Sequence, residues 1–157
     1  MKVFLGGTCN ESTWRDEIIP MLRIDYFNPV VEDWTPACQE EELKQREGCD
    51  YLLYVITPAM TGVYSIAEAV DDSNKRPNKT IFVTLREDYR PNRGYDCLIR
   101  FDDGQWKSLK AVARMVKDNG AAVFEDLRSA AKYLNERSAE ALRSIAEADE
   151  YETYLAS

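Results

Sequence analysis

Two carboxylates and the loop between them are the residues of this chain best suited to chemistry. Asp50 opens a nearly continuous apolar run over residues 51–56, and Glu68 stands in the helical pattern that follows. The linking loop, 57–62, carries Thr57, Pro58, Thr61 and Gly62, with only Ala59 and Met60 apolar. In an open α/β sheet, ligands bind in the crevice outside the carboxyl ends of the strands. This loop and Glu68 are therefore expected at the mouth of a site. Ser65 falls in the first turn of the helix, where its hydroxyl and the free backbone N–H groups suit an anion. Tyr64, Glu68 and Asp71 form one helical stripe, and on spacing alone Glu68 and Asp71 read better as ordinary helix surface.

The chain contains no histidine. That excludes Ser-His-Asp and Cys-His catalysis and most zinc sites. Acid–base work falls to Asp, Glu, Tyr, Lys or Cys, and glycosyl chemistry can run on carboxylates alone. Neither a G-x-G-x-x-G nor a G-x-x-x-x-G-K-[ST] fingerprint is present, and no metal or cofactor is expected. The net charge of −8 argues against a nucleic-acid polymer or an anionic membrane as partner, since phosphate contacts need clustered Lys and Arg. Cys9, Cys38, Cys49 and Cys97 form no C-x-x-C pair. With no signal-peptide pattern and no run long enough to span a bilayer, a cytoplasmic protein with reduced thiols is expected.

The elements that position these residues alternate strand and helix. Residues 2–5 read as a first buried strand, ending in the turn Gly6-Gly7-Thr8. Ser12 or Thr13 caps a helix through Trp14, Ile18 and Leu22, which Pro20 should kink or shorten. Trp14 suits either the core or a base-stacking surface. Residues 24–27 read as strand two, followed by Asn28-Pro29 and the loop holding Asp33 and Trp34. Thr35-Pro36 starts a helix to Gly48, and its run Glu40-Glu41-Glu42 reads as a solvated face. Strand three is 50–56. The next helix, 63–72, should pack Val63, Ile66, Ala67 and Val70 on the sheet. Residues 80–85 form strand four, 86–96 a polar loop and 97–101 strand five. Asp102 or Asp103 caps a helix over 105–118 that Gly120 ends. Residues 121–124 are a short strand or an extended link, and helical patterns cover 126–135 and 139–154. The expected fold is a single flavodoxin-like, Rossmann-like α/β domain. It has a parallel five-stranded sheet of order 2-1-3-4-5, helices on both faces and a C-terminal helical tail. The α/β domain is expected over 1–136, with 137–157 a helical extension. The switch point then lies between Gly6-Gly7-Thr8 and loop 57–62.

With these residues in place, VFLGGT, NPVVEDW, CDYLLYVITP, GVYSIAEAV and KTIFVTL, in that order, resemble the nucleoside 2-deoxyribosyltransferase family over roughly residues 2–136. The resemblance implies that Glu68 attacks the anomeric carbon of a deoxynucleoside to form a covalent ester, which an acceptor base or water releases. It implies that Asp50 lies near the nucleobase and that Gly6, Gly7 and Thr8 form the sugar pocket. Trp14, Pro29 and Trp34 would wall the base. Asn28, Gly62, Tyr64 and Ser65 complete the expected binding set. Phe4 stands where the family often has a tyrosine, and Thr61-Gly62 where many members have an aspartate. Tyr64 or Asp33 would then substitute as hydroxyl or proton donor. The implied partners are a small-molecule nucleoside or nucleotide, a free nucleobase and further copies of the chain in a homo-oligomer. A non-catalytic nucleotide-sensing module, and an NAD or nucleotide N-glycosidase, remain open as alternatives.

Overall fold

The computed structural model describes residues 1–9, 11–33, 35–92 and 95–156. The first strand, β1 (Lys2–Gly7), runs between β2 (Asp25–Phe27) and β3 (Tyr51–Ile56). Next to β3 lies β4 (Thr80–Thr84), and the sheet closes with β7 (Ala122–Phe124), giving the parallel order β2-β1-β3-β4-β7. The near-continuous apolar sequences of β1, β3 and β4 follow from this placement, because central parallel strands are covered on both faces.

One face packs Val3, Leu5, Leu53, Val55, Ile81 and Val83 against Trp14 and Ile18 of α1 (Trp14–Ile18) and Leu127, Ala130, Ala131 and Leu134 of α5 (Leu127–Ala156). The other packs Phe4, Leu52, Tyr54, Ile56 and Phe82 against Ala69 of α3 (Tyr64–Lys75) and Leu109, Ala113 and Val116 of α4 (Asp103–Asp118). Pro20 confines α1 to a short helix continued by a 3₁₀ turn, as its missing N–H and ring require. Thr35 caps α2 (Pro36–Gly48), accepting from Cys38 N at 3.3 Å. Asp102 and Gln105 form a reciprocal capping box on α4.

The sequence reading and the structure part at four places. Residues 97–101 do not supply the fifth sheet strand. They belong to β6 (Tyr95–Arg100), which pairs antiparallel with β5 (Glu87–Asn92), a stretch expected to be a polar loop. A hairpin carried outside the sheet satisfies its backbone locally and needs no apolar face on both sides, so β5 reads as polar. The short segment Ala122–Phe124 takes the fifth position instead. The two helical patterns at the C-terminus are one helix, because Glu136, Arg137 and Ser138 between them favour continuation. Fourth, α3 does not bury Val63, Ile66, Ala67 and Val70 as a set. Val63 is 69% exposed, whereas Glu68, Ala69, Asp72 and Ser73 are buried. Ile66 and Val70 still pack against the core, while Val63 precedes the helix and Glu68 and Asp72 turn inward beside them to meet Arg46, Arg76 and Tyr54.

Gly7 fixes the approach of β1 to β3. Its φ is +113°, and a Cβ there would lie 2.1 Å from the Val55 carbonyl oxygen, backbone that cannot yield. Gly7→Ala is expected to lower stability by about 3 kcal/mol, read as a lower urea midpoint with an unchanged denaturant slope.

Candidate active site

The carboxyl ends of β1 and β3 diverge into loops that meet across the switch point. Thr8 N donates to Val55 O at 2.9 Å, and Thr57 N donates to Thr8 Oγ1 at 2.9 Å, so the two loops are stitched by backbone and hydroxyl together. Ser65 Oγ donates to Gly7 O at 3.3 Å, bringing the first turn of α3 against the same turn. Behind them, buried Asp88 of β5 accepts from Ser12 Oγ and Thr57 Oγ1, each at 2.5 Å, and anchors the hairpin to the loops.

Two adjoining clefts open here. One, about 350 Å³, lies between α2, α3 and the β2–α2 loop, with Pro29, Val30, Glu42, Leu43, Tyr64 and Glu68 in its wall. The other, about 210 Å³, is bounded by Gly7, Thr8, Met60, Thr61 and Gly62. Cys9, Tyr64 and Ser65 border both, so the clefts form one crevice. The first alone falls within the size range of small-molecule sites.

Glu68 is 6% exposed at the bottom of this crevice. Its Oε1 accepts from Arg46 Nη1 at 2.9 Å. Burial pushes the Glu68 carboxyl up to about 7, Arg46 opposing and the neighbouring acids Glu42 and Asp72 adding to the rise. Glu42, from α2, lines the same cleft. Burial raises its carboxyl above the ordinary range, with Arg46 and Arg15 opposing. Two carboxylates from two helices thus share one pocket with their protons held more tightly than in water. Such a pairing suits one group acting as nucleophile and the other as proton donor.

The structure gathers Gly7, Thr8, Pro29, Gly62, Tyr64, Ser65 and Glu68 around the crevice. Gly6 lies beneath it, where a Cβ would come 2.7 Å from the Tyr54 ring. Asp50 is elsewhere. It precedes β3, accepts from the Lys2 backbone N at 2.7 Å, and is separated from the carboxyl ends by the whole strand, roughly 20 Å at about 3.3 Å per residue. Trp14 is fully buried in the core, its Nε1 donating to Thr8 O at 2.8 Å, so it holds the β1 turn from below and walls nothing. Asn28 turns back to accept from Val30 N at 3.1 Å, shaping the β2–α2 loop. Asp33 is exposed and does not border the clefts. Trp34 lies outside the described residues.

Glu42 escaped the sequence reading because it sits in the run of glutamates expected to face solvent; Glu40 and Glu41 do, but Glu42 does not. A signal was present. Glu42 and Arg46 are spaced i, i+4, which places them on one helix face, and α2 has no apolar stripe with which to dock.

A doubly wound parallel sheet with an acid-lined crevice at its switch point defines the class: an α/β protein with a crevice where such folds bind their ligands, between the ends of β1 and β3. The family model described as nucleoside 2-deoxyribosyltransferase like matches residues 1–89, more than half of the chain, and the chain belongs to that family. The matched stretch holds β1 to β4, α1 to α3 and every crevice residue named above. A search of curated proteins finds no match. Among the described residues, no helix is long and apolar enough to cross a membrane.

The Glu68 carboxyl is expected to titrate with a midpoint near 7 in a ¹³C NMR pH series. Because that value lies above the 4.5 of an unperturbed glutamate, the group's contribution to stability is full below about 4.5 and is lost as pH rises through 7. Glu68→Gln should therefore gain stability relative to the parent protein over that window.

Proposed function

We propose that the chain cleaves or transfers the N-glycosidic bond of a 2′-deoxynucleoside, with Glu68 as nucleophile. The observation that carries this reading is a buried carboxylate at the bottom of a nucleoside-sized cleft, faced by a second carboxyl, in a chain of the deoxyribosyltransferase-like family.

The ionised Glu68 carboxylate attacks C1′ as the C1′–N bond breaks, and the bond's electron pair leaves with the base. A proton delivered to the departing base neutralises it. Glu42 is the second carboxyl in the cleft wall and the group we assign to deliver that proton, a role for which Tyr64 or Asp33 was expected. The result is a glycosyl ester on Glu68. Attack at C1′ by a second base gives transfer and attack by water gives hydrolysis; either restores the carboxylate. Two displacements at one carbon return the original configuration, as in retaining glycosidases. The described lining of the first cleft contains Glu42 and Glu68 and no lysine or arginine. That favours an uncharged nucleoside over its 5′-monophosphate, whose dianion would meet like charge.

A sensing module that binds nucleosides without cleaving them is the second reading. It is favoured by Phe4, which has no hydroxyl, and by the absence of a carboxylate at Thr61-Gly62.

Chromatography of free base after incubation with each deoxynucleoside, with and without a second base, tests both readings. Glu68→Ala is expected to fold normally and to retain less than about one-thousandth of the activity. Glu42→Gln is expected to slow ordinary deoxynucleosides about 100-fold. It should barely affect 7-methyl-2′-deoxyguanosine, whose base already carries positive charge and departs without a proton. Full activity in Glu68→Ala would sink the assignment, and binding without base release would establish the sensing module.

The kcat/KM of the active protein should fall below about pH 7 with the slope of a single proton, because only the ionised Glu68 attacks.

A further inference from the structure

We propose that Arg46 is the residue that orients Glu68 for attack, gripping Oε1 so that Oε2 is the oxygen presented to the substrate; the proposal rests on the glycosidic reading above. Arg46 is the buried residue of α2, and its guanidinium reaches three acids of α3. Nη1 meets Glu68 Oε1 at 2.9 Å, Nε meets Asp72 Oδ2 at 2.7 Å, and Nη2 lies 3.6 Å from Asp71 Oδ2. A planar fork bound at more than one edge has a fixed orientation.

Its principal anchor is itself immobilised. Asp72 is fully buried, accepts from Tyr54 OH at 2.5 Å on Oδ2, and accepts from Arg76 Nε at 2.8 Å on Oδ1. Tyr54 belongs to β3, so the chain of contacts runs from the central sheet through Asp72 and Arg46 to the carboxylate. A free glutamate samples several rotamers. Holding one oxygen removes that freedom before substrate arrives, which is how positioning lowers a barrier.

The groups facing Glu68 make Arg46 the cation that counts. From α2 come Glu42 and Arg46, from α3 Asp71 and Asp72, and from β3 the Tyr54 hydroxyl, while the uncharged Cys9 and Tyr64 border the same cleft. Arg76 is engaged with Asp72. Arg46 thus opposes a cluster of acids, and its removal leaves Glu68 among like charges.

The test compares the parent protein with Arg46→Lys and Arg46→Ala by three readings: the Glu68 midpoint by ¹³C NMR, kcat and KM for the best deoxynucleoside, and the amide NMR spectrum as a check of fold. A lysine keeps the charge but lacks the planar fork that fixes Glu68 relative to Asp72. Arg46→Lys is expected to hold the midpoint within about half a unit and KM within about twofold, while lowering kcat roughly tenfold or more. Arg46→Ala is expected to raise the midpoint by about one unit or more and move the acid limb of the pH profile with it. If Arg46→Ala does not fold, Arg46→Lys decides alone. Parental kcat in a folded Arg46→Lys, or a folded Arg46→Ala with an unmoved midpoint, overturns the proposal. A parent protein that releases no base overturns the glycosidic reading instead, and with it the orienting role. The two failures are therefore distinct.

Discussion

A guanidinium withdrawn from water must be neutralised where it lies, and that requirement ties α2 to α3. Arg46 is the residue through which α2 enters the interior. Its partners are on α3, so the two helices that wall the cleft are coupled by charge rather than by apolar packing. The alternative, an interhelical seam of leucine and valine, would be at least as stable, since buried ion pairs rarely outperform well-packed hydrocarbon. What the ion pairs add is direction. An apolar seam tolerates small rotations; a fork bound to Glu68 and Asp72 does not.

That coupling accounts for the polar face of α3. A helix whose sequence offers Val63, Ile66, Ala67 and Val70 would be expected to bury them. Ile66 and Val70 do pack on the core, but Val63 and Ala67 are exposed and Glu68 and Asp72 go in. Two carboxylates inside a domain are tolerated because Arg46, Arg76 and the Tyr54 hydroxyl meet them. The cost of this arrangement falls on Glu68. Burial raises the proton affinity of Glu68 toward neutrality, Arg46 opposing the rise and Glu42 and Asp72 adding to it.

Much of this was legible in the chain and some was not. The apolar runs of β1, β3 and β4 and the turn at Gly6-Gly7-Thr8 marked the sheet and its switch point, and with them the position of Glu68. The cap at Thr35-Pro36 and the box at Asp102 fixed two helix starts. The fifth strand was misplaced because 97–101 carries the stronger apolar run, while the segment that completes the sheet is three residues long and has little pattern of its own. Asp50 entered the site through the resemblance alone; as the residue before β3 it lies at the strand's amino end, where it holds the Lys2 backbone N–H, away from the crevice at the carboxyl ends. Glu42 and Arg46 were obscured because periodicity finds apolar faces, and the buried face of α2 is polar.

The sheet is completed late. β7 pairs with β4 across the hairpin and α4, so the fifth strand must wait for some forty intervening residues (85–121) to be made and for a long loop to close. Until then β4, with the sequence TIFVT, presents a bare and strongly apolar edge, the kind of surface on which unfinished chains join one another. A nascent chain stalled near residue 89 would hold the whole crevice and yet lack the strand that shields its sheet. Synthesis rate and chaperone occupancy over that interval would then bear on how much folded protein a cell recovers.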